Sequence, residues 1–559
     1  MLVPAWQCYH LKFSDTSTYQ DISQFYNELE KQTYSISFRP MSAAMVDECV
    51  EQGQIYLFRI HNRDLSAYSK GKKQLQTLYY QMLLDERNLN DLVIKLNGGA
   101  EMYFRKASIK PDKPTHPAGV PMANKNPLSS RKEAVFDYPL MKDNRYTKDT
   151  FHFHFPVTIN CNSGSFANVN QMANKFIRKT EDLHIIGINR GERNLIYVTV
   201  INPQGQIVEQ FSLNVIVNEN RKGKYRTDYH ELLTRRENER AEARESWMTV
   251  KNISDLKEGY LSAALHKVVG LLGKYNAVIA IEELDKHFKN SRKHIEHEIY
   301  SKFEDMLINK LNYLTDKSRD VLEMGGILRG IQLTGKADEM GDYTRQNGIV
   351  FRVPTWYIGM TCPVTGFINF LKPKYTNIKE AREFFGKMDD IRYNADKSWF
   401  EFDIDYDNFT DKAAEGRKRW TVCTAGSRIY KGKPVELTPE MLNLFNRYGI
   451  QVGADLKGQI VEHDSREFFE SLMQLFSLAL QMRNMAEGID YLVSPVKDKD
   501  GGVFVSAKDN TGLPGCVDAN DAFNIARKGL MFVRQIRQST DDWVKLTVSN
   551  AEWMQFVQQ

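Results

Sequence analysis

The stretch Ile185-Ile186-Gly187-Ile188-Asn189-Arg190-Gly191-Glu192-Arg193-Asn194 constrains this chain more than any other. An apolar run of strand type stops there on a short polar side chain, and basic and glycine residues follow at once. A second apolar run extends from Leu195 to Ile201, then comes Asn202-Pro203-Gln204-Gly205, then a third run from Ile207 to Leu213. Proline in second place and glycine in fourth is β-turn chemistry, so the spacing predicts a three-stranded meander. The side chain that ends its first strand, Asn189, offers one acceptor oxygen and no charge.

A chain of 559 residues has length for several domains and more than one core. No apolar run is long enough to span a bilayer, and Met1-Leu2-Val3-Pro4-Ala5-Trp6-Gln7 lacks the regions of a signal peptide, so no membrane partner is expected. The six cysteines are scattered without a C-x-x-C pair. That argues against a disulfide framework or a zinc site and suits a reducing cytoplasm. The net charge of +4 is small, but its distribution is uneven. Nine Lys/Arg against four Asp/Glu between Arg105 and Arg145 make a local basic surface of the kind that meets nucleic acid.

In chain order, Phe13-Ser14-Asp15 reads as the cap of a short helix through Gln24-Phe25-Tyr26. Gln54 to Ile60 alternates polar and apolar as a strand, and two further strands are expected around Val93-Ile94 and Met102-Tyr103-Phe104. Residues 35–168 read as a mainly β, barrel-like module carrying the basic loop. Tyr229 to Met248 is Glu- and Arg-rich and helical. Leu256 to Tyr275 is an amphipathic helix feeding the strand Ala277 to Ile281, which ends in Glu282-Glu283. A mixed insertion follows from Tyr357 to about 516, with a helix expected from Phe468 to Met485. Asp518-Ala519-Asn520 then opens the last long helix.

A two-metal nuclease needs carboxylates from separate elements converging on two cations, and Mg²⁺ wants hard oxygen ligands. Glu282 at a strand end and Asp518 at a helix start are the available candidates. Each has a plain alternative: Glu282 as a strand-end charge facing water, Asp518 as an ordinary N-cap.

The motif around Asn189, Ile281-Glu282-Glu283-Leu284 with Phe288-Lys289-Asn290-Ser291-Arg292, Gln481-Met482-Arg483-Asn484, and Asp518-Ala519-Asn520 with Asn524-Ile525-Ala526 resemble the type V-A CRISPR RNA-guided endonucleases. Tyr56 to Asp64 and Ser66 to Gly71 extend the likeness into the β module. The resemblance implies an α+β, multidomain chain. Residues 1–34 would be a remnant of a preceding recognition-lobe region and 35–168 a β-rich, oligonucleotide-binding-like wedge module for guide RNA. Residues 169–356 would be a ribonuclease-H-like RuvC α/β domain with a bridge helix near 229–248. The Nuc domain would be a mixed α/β insertion at 357–516, and 517–559 the closing RuvC motif.

The resemblance also implies roles. Asn189, Glu282 and Asp518 fall on the RuvC carboxylate positions, where the family has Asp in first place; Mg²⁺ held by Glu282 and Asp518 alone would bind weakly. Arg483 and Asp490 match polar Nuc residues, although Arg483 on a helix also reads as a surface ion-pair partner. Trp247 matches the bridge-helix anchor and reads equally as a core residue.

His116, Lys125 and Lys142 match residues with which the family trims precursor guide RNA without metal. An imidazole can move a proton near neutral pH, and ammonium groups can neutralise charge on a phosphate. The alternative is a lysine loop that only touches RNA backbone. The expected function is thus a portion of a CRISPR effector in a prokaryotic cytoplasm, with guide RNA and target DNA as partners and a separate recognition-lobe polypeptide supplying what this chain lacks. It would process guide RNA while its DNA-cutting centre is disabled by Asn189. A non-catalytic RNA- and DNA-binding scaffold or split-effector subunit is the alternative; a third reading keeps DNA cleavage with Asn189 as a neutral ligand.

Overall fold

A computed structural model of the chain describes 166–559 save 192–193, 221–222, 247–252, 284–293, 337–344, 414, 487–488 and 508–511. Before 166 it describes 15–20, 42–54, 75–83, 85–96, 101–105, 115–123, 133–135, 140–141, 150–154 and 156–160, with isolated positions between 24 and 31. These residues form two compact units: Met1–Lys125 with Arg131–Ser163 and Leu314–Ile331, and Asn126–Ser130 with Gly164–Tyr313 and Gln332–Gln559. The segment Leu314–Ile331, inside the sequence boundary 169–356, therefore groups with the first unit.

In the first unit four antiparallel pairs are nested along the chain. Ile94–Leu96 pairs with Val157–Ile159, Glu101–Arg105 with Thr150–His154, Thr115–His116 with Leu140–Met141, and Pro121–Ala123 with Glu133–Val135. The strands expected near 93–94 and 102–104 are thus present. Among the described residues the pairs do not close into a barrel, and the helices Ala43–Glu51, Leu75–Met82 and Glu86–Asp91 accompany them. Asn88 ties the last helix to the first strand: its Nδ2 donates to Ile94 O and its Oδ1 accepts from Ile94 N. The strand expected over 54–60 and the helix near 24–26 fall almost wholly outside the described residues. At Asp15 the side chain accepts from Ser17 N over a single turn, Thr16–Thr18.

The second unit is built on a six-stranded sheet in the order Ile207–Ser212, Tyr197–Ile201, His184–Asn189, Ala277–Glu282, Val350–Val353, Gln346–Asn347. The expected meander supplies the first three strands, all antiparallel. Ala277–Glu282 then runs parallel to both His184–Asn189 and Val350–Val353. Strands flanked on both sides in such a sheet need apolar residues on both faces, and His184–Asn189 and Ala277–Glu282 are buried throughout. The crossover between them contains the helices Tyr229–Glu245 and Ser254–Tyr275, close to the expected bounds.

The long helix Val517–Gln538 lies across the sheet, and its seat depends on two glycines. A Cβ at Gly187 would stand 2.1 Å from Ala522 O and 2.7 Å from Ala526 N; one at Gly529 would stand 2.7 Å from Ala280 Cβ. Backbone and strand approach closely only because these positions carry no side chain. A stripe of polar side chains on this helix, Asn520, Asn524 and Lys528, reaches the chain leaving the sheet. Asn520 donates to Thr361 O, Asn524 to Ile358 O, and Lys528 to Pro354 O and Trp356 O.

The insertion has its own core, running from Cys362 to Met482 and Val496 and rich in Phe. Its three-stranded sheet orders Asp390–Asn394, Trp399–Asp405 and Arg419–Cys423, packed by helices Ile378–Gly386, Leu437–Arg447, Leu456–Glu462 and Arg466–Ala479. The last of these corrects the expected helix Phe468 to Met485. It ends at Ala479, and Arg483–Ala486 is instead a strand paired with Ile489–Leu492. Tertiary bonds decide this: Arg428 Nε takes Gln481 O, and the Asn484 amide donates to Ser427 O and Oγ, so this backbone runs extended. Among the described residues no helix is long and apolar enough to cross a membrane.

Candidate active site at the strand ends

Asn189 and Glu282 close adjacent parallel strands, one register step beyond the Ile188–Ile281 pair. Side chains alternate along a strand, so both lie on the sheet face that carries Gly187 and Ala280, the face the long helix covers. Asp518, in the first turn of that helix, completes the group. The three residues are buried at 4%, 7% and 2% exposure. The sequence candidates from three separate elements are therefore brought to one place.

Their partners are specific. Asn189 Nδ2 donates to the Asp518 carbonyl at 3.4 Å. Asp518 Oδ2 accepts from Asn194 N at 2.9 Å and Asn194 Nδ2 at 2.7 Å. Gly191 leaves room for this, since a Cβ there would fall 2.4 Å from the Asp518 carboxylate carbon. Asp518 is not the N-cap: Cys516 holds that position without a side-chain bond, because the Asp518 carboxylate is turned to Asn194.

Glu282 faces a cation. Arg190, 1% exposed, sets Nε 3.6 Å from Glu282 Oε1 and Nη1 3.5 Å from Glu304 Oε2, and donates to Glu282 O. Arg352 pairs with Glu304 from the far side. Buried charges need this kind of pairing, and the chain Glu282, Arg190, Glu304, Arg352 alternates in sign. Glu282 does not project into water.

Arg483 and Asp490 face each other across their hairpin, Nε to Oδ1 at 3.3 Å. The ion-pair reading of Arg483 is thus correct as to contact, though on a strand and not a helix. The hairpin lies near the site. Its second strand, Ile489–Leu492, packs on the helix Val517–Gln538. Burial, with the Asp518 and Asp490 carboxylates adding to it, pushes the Cys516 thiol up to about 12. Tyr197, opposite Asn189 in the sheet, is likewise raised, by burial first and then by Cys516 and Asp518. Sequence reasoning missed Arg190, Asn194, Glu304 and Cys516 as members of this cluster. Arg190 and Asn194 stand inside the quoted motif, while Glu304 and Cys516 carry no local signal.

The residues present do not fit a two-metal centre. Glu282 Oε1 is buried and accepts no hydrogen bond, which suits a cation. Asn189, however, turns its amide nitrogen to a carbonyl, and two carboxylates remain where hard divalent ions ask for more anionic oxygen. Among the described residues no group of three or more His, Cys, Asp or Glu is placed to hold a metal ion.

In the first unit, His116 Nε2 donates to Val120 O at 2.9 Å across the turn 117–120. This leaves Nδ1 as the basic nitrogen of the neutral ring. Lys125, Lys142, Trp247 and the stretch 288–292 lie outside the described residues.

Two family models match the chain. That of the RuvC nuclease domain covers residues 163–559, and that of the CRISPR-associated endonuclease Cpf1 PI domain covers 3–34. The second falls on the stretch taken from the sequence as a remnant of a preceding recognition-lobe region, and describes it as PI domain.

Proposed function

The chain belongs to the RuvC-nuclease-bearing, Cpf1-type (type V-A) CRISPR effectors, and from this premise we propose that it holds guide RNA and target DNA at a RuvC-like centre that Asn189 has silenced. RuvC nucleases are in general Mg²⁺-dependent, and Cpf1-type effectors bind guide RNA and target DNA. One observation carries the proposal: at the end of the first strand, beside Glu282 and bonded to Asp518, stands a neutral amide. An amide keeps the shape of a carboxylate but removes a unit of negative charge from the place where cations would be held. Arg190 then holds Glu282 in place, and Asn194 fixes Asp518, in a site that is formed but lacks the anionic oxygen to load it.

In the first unit, we assign precursor-RNA trimming without metal to His116, with Lys125 and Lys142 neutralising phosphate. The Val120 carbonyl supports this by holding the ring through Nε2, so that Nδ1 is the acceptor nitrogen of the neutral imidazole.

The test of the silenced centre is Asn189→Asp in the chain supplied with guide RNA, complementary DNA, a recognition-lobe polypeptide and Mg²⁺. Cleavage is expected to rise by roughly a thousandfold or more over the Asn form, the size of losing a required charged ligand. Equal rates for both forms overturn the proposal. For the RNA activity, precursor is expected to be cut in EDTA and the His116→Ala variant to bind without cutting; unchanged cutting removes His116 from that role.

A further inference from the structure

A groove of about 530 Å³ lies beside the sheet edge, bounded by the helix Phe166–Lys179, the strand Gln346–Asn347 and the segment 543–547. That volume is within the roughly 300–1,000 Å³ of sites that enclose small ligands. Its outer wall alternates. Leu546 and Val548 are buried in the main core with Val544 packed against it, while Trp543, Lys545 and Thr547 face out. The wall is also fastened down: Asn174 donates to Asp542 O, Arg178 to Asp541 O, and Gln535 exchanges two bonds with Thr547. A fixed segment therefore holds an indole at 55% exposure. The indole lines the groove instead of packing into the core.

The polar groups around it have one chemistry. Lys545 is exposed and its ammonium makes no hydrogen bond or ion pair among the described residues. Among the described residues Arg345 has one loose partner, Glu283 at 4.0 Å, so two cations line the groove with one carboxylate. Trp543 and Lys545 are both exposed, two residues apart on this wall, and so at most about 7 Å apart along the chain. This is close to the repeat of a stacked base and the phosphate that follows it. Glu283, which lines the groove, follows Glu282 in the chain.

We propose that this groove is a subsite for single-stranded nucleic acid, in which a base stacks on the Trp543 indole and its phosphate lies between Lys545 and Arg345. Stacking on an aromatic face is blind to base identity, and the cations track the backbone. The proposal rests on the reading that a nucleic-acid strand reaches the RuvC-like centre. Its test reads binding alone, in EDTA, and is independent of whether Asn189→Asp restores cutting.

Short oligothymidylate and oligouridylate carrying one 5-iodouracil each are irradiated with the full chain, and the adducts are mapped by mass spectrometry. An adduct on Trp543 is expected. Trp543→Ala should weaken anisotropy-measured binding about tenfold and Trp543→Phe much less, since stacking is worth that order of effect. Lys545→Ala and Arg345→Ala should each lower the slope of log affinity against log salt by about one. Adducts with both strands support a sugar-blind site, and adducts with one alone support the site and name its strand. Absence of any Trp543 adduct, or binding by Trp543→Ala within twofold of the parent, overturns it. Trp543 is exposed, so its variants should keep the parent's melting curve, and that measurement excludes unfolding as the cause.

Discussion

In the six-stranded sheet the core is aliphatic, from Ile185 to Val353, and charge is drawn inside it at the strand ends, where Arg190, Glu282, Glu304 and Asp518 are all nearly inaccessible. In the insertion the core is aromatic, with Phe385, Phe400, Phe402, Phe445, Phe468 and Phe476 in edge and tilted contacts. Its main charged cluster, Arg392 with Asp390, Glu401 and Asp403, buries Glu401 at 2% but reaches water through Arg392, 39% exposed. Burying a charge costs stability unless it is paired, and a fold accepts that cost where chemistry needs fixed charge in a dry place. The sheet is arranged as such a site. The insertion is arranged as a stable block that presents one hairpin.

The comparison breaks most easily at Arg190. Arg190→Met leaves Glu282 and Glu304 facing each other with Arg352 as the remaining cation. Removing one partner of a buried pair costs roughly 3–5 kcal/mol. Denaturant unfolding of the second unit checks this, and a loss below about 1 kcal/mol would put the strand-end charges in effective contact with water.

Next in size is the seat of the long helix. Gly187→Ala drives a methyl against Ala522 O and Ala526 N, both backbone, so the helix must shift. The expected loss is about 2–3 kcal/mol. Gly270→Ala is the control: it sits in the helix Ser254–Tyr275 with nothing within 4 Å of its Cβ position, and should gain about 0.5–1 kcal/mol. Should both variants melt alike, the close approach at Gly187 is not what seats the helix.

These two sites also mark what could be read in advance. The meander, the parallel strand ending at Glu282 and the helix from Asp518 were legible because apolar runs and turn residues are local signals. Bringing Asn189, Glu282 and Asp518 together needed the family likeness, since nothing local links positions 329 residues apart. The contacts of Glu304 and of the Asn520, Asn524, Lys528 stripe were illegible, although Asn520 and Asn524 stood in the quoted motif. Their role exists only once the crossover has closed. The helix drawn through Arg483 failed for a related reason: Asn484 and Arg428 override local helical preference with long-range bonds.

The charged face of the insertion gives a smaller, pH-dependent effect. Burial raises Glu401, but donors from Asn394, Trp399, Lys497 and Arg392 outweigh it and hold the carboxyl at about 2. A carboxyl depressed in the folded state stabilises fully above its unfolded value and loses that contribution as pH falls through the folded one. The insertion should therefore lose stability between pH 4.5 and about 2. The loss should be roughly 1–2 kcal/mol once screening at the exposed Arg392 is allowed. Glu401→Gln should flatten that part of the pH profile; an unchanged profile would assign the acid sensitivity to other groups.

The smallest expected effect on stability concerns Arg483, and it separates the two regions most sharply. Its pair with Asp490 is partly buried, with side chains 29% and 10% exposed, and long at 3.3 Å. A pair whose guanidinium water still reaches contributes about 1 kcal/mol. The hairpin itself is held by other groups: Asn484, wholly buried, bonds Ser427, and Arg428 bonds the carbonyl just before the strand. Arg483→Ala should therefore melt within a degree or two of the parent. If the guanidinium serves only the pair, Asp490→Asn should match it in every assay. If it steadies a nucleic-acid strand near Asp518, Arg483→Ala in an Asn189→Asp background should cut far more slowly at unchanged stability, and Arg483→Lys should rescue only part of the loss because an ammonium cannot reproduce the planar fork. A melting loss above about 2 kcal/mol in Arg483→Ala would make the residue part of the scaffold after all.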